Sequence, residues 1–265
     1  MYETKYHKAG SVADAAAALA GADEGKVLSG GQTLLPTMKQ HLAAPTDLVD
    51  VRGIDGMQGI TVGDGTITIG AATLHADVAD NAEVRQHIPG LAALAGGIGD
   101  PAVRAMGTIG GSIANNDPAA DYPSAILGLG ATVITDKREI AADDFFDGMF
   151  ATTLDEGEII TAVRFPVPQR SGYAKFPNPA SRYAMVGVFV AETGGSVRVA
   201  VTGAGADGVY RDDGLEAALG SDFSEGAVDG VAVAADGMLS DIHASAEYRA
   251  HLVSVMAKRA VANAG

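Results

Sequence analysis

Two glycine pairs, each set among hydroxyl and amide side chains, constrain this chain more than any other feature of its sequence. The first is Gly30-Gly31 within Leu28-Ser29-Gly30-Gly31-Gln32-Thr33-Leu34-Leu35, between a predicted strand and a predicted helix. The second is Gly110-Gly111 within Arg104-Ala105-Met106-Gly107-Thr108-Ile109-Gly110-Gly111-Ser112-Ile113-Ala114-Asn115-Asn116-Asp117. Paired glycines let the backbone approach a ligand closely, and successive amide N–H groups there converge on an anion such as a pyrophosphate. Two such turns suit two phosphates. A plain glycine turn accounts for the first pair by itself as well as an anion site does, because short motifs carry a real false-positive risk.

Other glycine motifs fail on context. Gly97-Ile98-Gly99-Asp100-Pro101-Ala102 fits the dinucleotide fingerprint G-x-G-x-x-A in letters, but it follows a helical run instead of a strand and contains Pro101. No glycine-rich stretch ends in Gly-Lys-Ser or Gly-Lys-Thr, so a P-loop is absent. The histidines form no H-x-x-x-H pair and no G-x-S-x-G elbow occurs, which leaves metallohydrolase and serine hydrolase readings weak. A lone histidine such as His75 reads as structural. The chain has no cysteine, which excludes disulfides, a thiol nucleophile, a cysteinyl flavin link and a cysteine-held iron-sulfur cluster within it. Redox chemistry here requires an organic cofactor.

Ser11 and the run VADAAAALAG predict a helix over 12–20; KVLSGG reads as a strand, TLLPTMKQHL as a short helix with Pro36 near its first turn, and LVDVR as a strand. Residues 58–71 alternate about Gly63-Asp64-Gly65, a hairpin signal. Helical segments are predicted from Leu74 to about Leu94, then a helix in PSAILGLGA, a strand in ATVIT, a brief helix capped by Asp143, and a strand in EIITAVRFPVP. The breaker-rich stretch from Pro166 to Gly172 predicts a domain boundary, giving units 1–168 and 172–265. The second unit is predicted to hold strands AMVGVFVAE and SVRVAVTGAG joined by Thr193-Gly194-Gly195, then helices near 213–219 and 225–235. Its last helix runs from Ser245 to Ala262, where Tyr248, Leu252, Val255, Met256 and Arg259 recur at three- and four-residue steps.

With 47% hydrophobic and 19% charged residues the chain is globular in composition, and a net charge of -15 opposes binding to nucleic acid or anionic lipid. The sequence contains neither an N-terminal basic and apolar leader nor an apolar run approaching the ~20 residues that span a bilayer, so a cytoplasmic location without a membrane span is expected.

Taken in order, LSGGQTLLPTMK, MGTIGGSIANNDPAADYPSAILGLGA and DEGEIITAVRFPVP resemble the medium, FAD-binding subunit of the xanthine dehydrogenase and aerobic carbon monoxide dehydrogenase family of molybdenum hydroxylases. The resemblance spans essentially the whole chain. It implies an α+β protein: a PCMH-type, vanillyl-alcohol oxidase-like FAD-binding domain of two subdomains, followed by a smaller α+β C-terminal domain of carbon monoxide dehydrogenase flavoprotein type. It further implies noncovalent FAD, its pyrophosphate held by Ser29, Gly30, Gly31, Gln32 and Thr33 with Thr108, Gly110, Gly111 and Ser112. Leu28, Leu34 and Ile98 belong to the same implied cofactor-binding set. Asp121 occupies the family's acidic position and would accept from a cofactor sugar hydroxyl; a helix cap is the competing reading. Ile160 corresponds to a backbone contact with the flavin ring, and Tyr183 to an aromatic beside it. Related subunits often place lysines just before this tyrosine. Here Pro177-Asn178-Pro179 stands there, which leaves Lys175 as the nearest basic residue and as the member of the implied cofactor-binding set that would contact the flavin.

The function so implied is an oxidoreductase subunit without catalytic acid-base residues or metal of its own. Electrons would come from a molybdenum cofactor in a large subunit through two [2Fe-2S] clusters in a small subunit, and leave to an external electron acceptor, within a dimer of heterotrimers. A stand-alone FAD-dependent oxidase and a nonenzymatic assembly module with purely structural glycine turns are the alternatives.

Overall fold

The computed structural model describes residues 2–265. The chain opens with a parallel sheet. Strands β1 (Lys5–Lys8), β2 (Gly25–Leu28) and β3 (Asp47–Asp50) lie in the order β1-β3-β2. Parallel neighbours need crossovers, and helices α1 (Val12–Ala20) and α2 (Leu34–Lys39) lie within them. The Ser11 side chain caps α1 by accepting from the Asp14 N–H, as its position before the alanine run predicts. β1 has no apolar alternation to announce it. It is a largely exposed edge strand, set by its register against β3.

A second sheet is antiparallel throughout, in the order β4-β5-β8-β6-β7, from β4 (Ile60–Gly63), β5 (Thr66–Gly70), β6 (Thr132–Thr135), β7 (Glu139–Ala141) and β8 (Ile160–Pro166). The β4–β5 hairpin turns at Asp64 and Gly65, both at positive φ (51° and 71°), as a two-residue turn matched to strand twist demands. Between β5 and β6 run α3 (His75–Asp80), α4 (Ala82–His87), α5 (Pro89–Gly96), α6 (Pro101–Arg104), α7 (Ile109–Asn115) and α8 (Tyr122–Leu129). Every residue of α8 is buried. The rejected G-x-G-x-x-A segment does follow a helix, α5, and its Pro101 and Ala102 open α6. Asp143 is no cap: it falls inside the single turn Ala142–Asp144, and its carboxylate pairs instead with Arg198 and Arg211.

The third sheet, β12-β11-β10-β9, is antiparallel and comprises β9 (Arg170–Pro177), β10 (Ala184–Thr193), β11 (Ser196–Thr202) and β12 (Tyr210–Arg211). Both of its faces are covered. Val186, Val188 and Val190 point into a core shared with Leu252, Val253 and Met256, while Phe189 and Ala191 point into the main core. Alternation therefore serves two hydrophobic surfaces, so β10 reads as a continuous apolar run. Helices α9 (Asp213–Ser221), α10 (Glu225–Val228) and α11 (Ala246–Ala262) belong to this unit. The predicted helix over 225–235 stops at Val228, just before Gly230. On α11 the buried face is rotated from the predicted one: Tyr248 is exposed, and Arg249 is buried with Leu252, Val253, Met256, Ala257 and Ala260.

Candidate functional site

Leu28 ends β2 with its side chain packed on Met38 and Leu48, which fixes where the first glycine turn begins. The turn passes through Gly31 at φ +69°, a conformation that glycine adopts without a Cβ penalty. Among the described residues, no backbone carbonyl accepts from the N–H groups of Ser29 through Leu34; the first to return is Leu35, to the Gly31 carbonyl. This is a run of donors without internal partners, and no carboxylate lies within it.

The second turn meets the first directly. Ser29 Oγ and Thr108 Oγ1 are 2.9 Å apart. A Cβ on Gly30 would stand 2.2 Å from the Met106 carbonyl oxygen, so only glycine admits this approach. Thr108 caps α7, its Oγ1 accepting from the Gly111 N–H at 3.2 Å, while the Gly110 N–H donates to the Ala71 carbonyl at 2.8 Å. The second block thus uses these two amides to hold itself in place. The amides of the first block have no such partner. Ala71 in turn donates to the Thr161 carbonyl, which places Ile160, at the start of β8, one residue from the bonded chain that supports the second turn.

Gly107 backs onto His75, which is buried and packs its ring against Tyr122 with centroids 5.3 Å apart. Burial, with the nearby Arg104 charge, lowers the His75 pKa to about 4, so the imidazole is neutral at neutral pH. Arg104 itself donates to the Ile98 carbonyl at 2.8 Å, fixing the chain at that candidate residue.

Asp121 precedes α8, but its side chain makes no cap hydrogen bond. The carboxylate instead receives the Tyr173 hydroxyl on Oδ1 at 2.6 Å, and Lys175 Nζ lies 2.9 Å from Oδ1 and 3.2 Å from Oδ2. Burial pushes the Asp121 carboxyl up from its ordinary value, opposed by the Lys175 ammonium and the Tyr173 hydroxyl. Tyr173 was not a candidate from sequence. A signal for it exists: in β9 the period of two sets Ser171, Tyr173 and Lys175 on one face, away from Ala174 and Phe176 in the C-terminal core. Tyr183 is partly exposed just before β10, and Asp117 and Asp121 raise its pKa after burial does.

The structure therefore brings the first and second glycine turns together, and sets Asp121, Lys175 and Tyr183 in one neighbourhood. Among the described residues there is no group of three or more metal-binding side chains, and no helix is long and apolar enough to cross a membrane.

Comparison with known proteins identifies a family for both parts of the chain. Residues 2–168 match the family described as the FAD binding domain in molybdopterin dehydrogenase, and residues 171–264 match the CO dehydrogenase flavoprotein C-terminal domain. The chain is 34% identical over 275 residues to the nicotine 6-hydroxylase medium subunit of Paenarthrobacter nicotinovorans, covering 98% of this chain and 97% of that one. It is 34% identical over 274 residues to the carbon monoxide dehydrogenase medium chain of Hydrogenophaga pseudoflava, covering 97% and 95%. A crystal structure of the Cu,Mo-CO dehydrogenase in its cyanide-inactivated form superposes with a TM-score of 0.90 at 32% identity, over 98% of this chain and 97% of that one.

Proposed function

The chain belongs to the FAD-binding medium subunits of the carbon monoxide dehydrogenase and xanthine dehydrogenase family of molybdenum hydroxylases, and from that membership we propose that it is the electron outlet of a heterotrimer. In this reading it receives electrons from [2Fe-2S] clusters of a small partner subunit and passes them to an external acceptor, while substrate is oxidised at a molybdenum cofactor in a large subunit. The absence of cysteine supports that division, since ordinary clusters need thiolate ligands that this chain does not have.

One observation carries the cofactor assignment: the N–H groups from Ser29 to Leu34 have no backbone acceptor, and Ser29 Oγ meets the Thr108 hydroxyl beside a backbone contact that excludes any side chain at Gly30. Donors of this kind, with no carboxylate among them, suit a pyrophosphate. The turn Ser29–Thr33 would hold the phosphates, with Thr108 and Ser112 adding hydroxyls and Gly110 and Gly111 keeping the second turn close. Leu28 and Leu34 fix the ends of the first turn. Asp121 would accept from a sugar hydroxyl, and Ile98, Ile160 and Tyr183 would flank the ring system. When bound, FAD supplies a centre that takes electrons singly and releases them singly or in pairs. The chain contributes binding, orientation and exclusion of water, and no proton donor is assigned.

Purified alone, the chain should be yellow with an equimolar amount of FAD, and acid precipitation should release all of the flavin into solution. A colourless protein that takes up no added FAD would sink the assignment. Flavin that stays with the precipitate would make the link covalent.

A further inference from the structure

The ion pair at Asp121 crosses between the two family domains, and the groups that hold it come from the second. We infer that Lys175 and Tyr173, on β9 of the C-terminal unit, are positioning residues that keep Asp121 an oriented carboxylate able to accept from FAD. The inference rests on the FAD reading above and adds the part played by the C-terminal unit in completing the site.

Both Asp121 oxygens are engaged from β9: Tyr173 Oη is 2.6 Å from Oδ1, and Lys175 Nζ is 2.9 Å from Oδ1 and 3.2 Å from Oδ2. This fixes the plane of the carboxylate, yet an ionised carboxylate offers about four lone-pair sites. Acceptor capacity therefore remains for a ligand. Asp121 is only 4% exposed. A carboxyl group so buried, without a cation beside it, is driven to its neutral form, which carries an O–H donor and presents a different pattern to a sugar hydroxyl. Lys175 is the cation that opposes this.

The remaining surroundings do not substitute for it. Tyr122 on α8 and Tyr183 before β10 are both affected by the Asp121 charge, and Asp117 is a further acid beside Tyr183. Arg259 on α11 lines a cavity of about 410 Å³ together with Tyr173 and Lys175 but has no ion-pair partner among the described residues. The backbone before Asp121 is clamped by the same unit: Thr202 Oγ1 donates to the Ala120 and Pro118 carbonyls, the Gly203 N–H to Pro118, and the Ala184 N–H to Ala119.

The test is FAD affinity of the full chain, measured by quenching of flavin fluorescence across a pH series. Wild-type affinity should be flat through the neutral range. Lys175→Met should weaken binding on the order of ten-fold at neutral pH, the scale of a hydrogen bond to a charged group. Without the ammonium the acid form of Asp121 persists to higher pH, so the loss should deepen on acidification and recover as pH rises. K175R should restore affinity, and in a D121N background K175M should change nothing further. Unchanged affinity in K175M, or an equal loss at every pH, would overturn the inference while leaving the FAD assignment intact. A wild-type chain that binds no FAD would instead overturn that assignment. If K175M does not fold, Y173F decides in the same assay: a smaller loss with the same pH trend supports the inference, and wild-type behaviour overturns it.

Discussion

Ser29 Oγ lies 2.9 Å from Thr108 Oγ1, and this contact ties together two glycine turns separated by 79 positions in sequence. The amides of the first turn have no backbone acceptor among the described residues, whereas the second gives its Gly110 amide to the Ala71 carbonyl and its Gly111 amide to Thr108 Oγ1. On the proposed reading, the first turn is the donor surface and the second its support.

Substitutions in the two turns should separate folding from binding. In Gly30→Ala the new methyl would sit 2.2 Å from the Met106 carbonyl oxygen and 2.7 Å from Gly107 Cα, so backbone must move. A stability loss of about 3 kcal/mol is expected in urea denaturation, together with loss of FAD. In Gly111→Ala the methyl would lie 3.0 Å from Thr108 Oγ1 and 4.0 Å from Ser29 Cβ, projecting between the turns without meeting backbone. That variant should unfold within about 1 kcal/mol of wild type and still bind FAD poorly. Equal FAD affinity in Gly111→Ala and wild type would place the cofactor elsewhere.

Thr202 is fully buried, and its hydroxyl spans from β11 to the segment before Asp121, 2.6 Å from the Ala120 carbonyl and 3.1 Å from that of Pro118. Thr202→Val keeps the shape and removes the donor. The cost should be about 1–3 kcal/mol, because buried carbonyls lose a partner, and FAD should dissociate faster in stopped-flow measurements. An off-rate equal to wild type would show that this clamp does not reach the site.

Two buried groups should make the fold acid-sensitive, each with the same sign. The His75 pKa is lowered to about 4 from an ordinary 6.5, so on acidification the unfolded chain binds the proton first. Its contribution is complete above 6.5 and is lost as pH falls through about 4. Glu158 is held at about 2, instead of 4.5, chiefly by its hydrogen bond to Arg138 and further by the Asp155 N–H and the Thr135 hydroxyl. That contribution is present above 4.5 and lost toward 2. Glu158→Gln should therefore cost about 1–3 kcal/mol at neutral pH, and its deficit should close as the pH approaches the acid limit. A deficit that does not vary with pH would refute the assignment.

FAD should stabilise the chain by mass action, since the two turns meet only in the folded state. At a hundredfold excess over the dissociation constant the gain is about 2.7 kcal/mol, visible as a rise in Tm by calorimetry. Removing flavin should reverse it. No shift on adding FAD would favour purely structural turns.

Elements whose burial is written into local pattern were legible from sequence. The alanine run of α1 behind Ser11, the hairpin at Asp64-Gly65, the all-buried α8 and the apolar run of β10 each carry their own signal. Others had none. β1 is a polar edge strand whose conformation depends on β3, and α7 contains Gly110, Gly111 and Ser112, poor helix formers held by the Thr108 cap and by packing. The rotated face of α11 depended on Arg249, which is buried because the Met185 and Gly203 carbonyls and Asp241 receive its donors. A long-range set of acceptors of that kind leaves no local trace.

What the sequence by itself determined is the kind of chemistry available. Paired glycines among hydroxyls are compatible with an anion site, and the lack of cysteine excludes a thiolate-held cluster within the chain, because side-chain inventory and backbone permissiveness are local properties. Only the tertiary structure decided how the parts divide the work. It left the amides of the first turn without a backbone acceptor and used those of the second, and it set Tyr173 and Lys175 of the C-terminal unit on Asp121, 52 and 54 residues away. Those outcomes depend on which donors and acceptors meet once three sheets are packed, and burial gives each meeting its strength by removing the water that would otherwise compete.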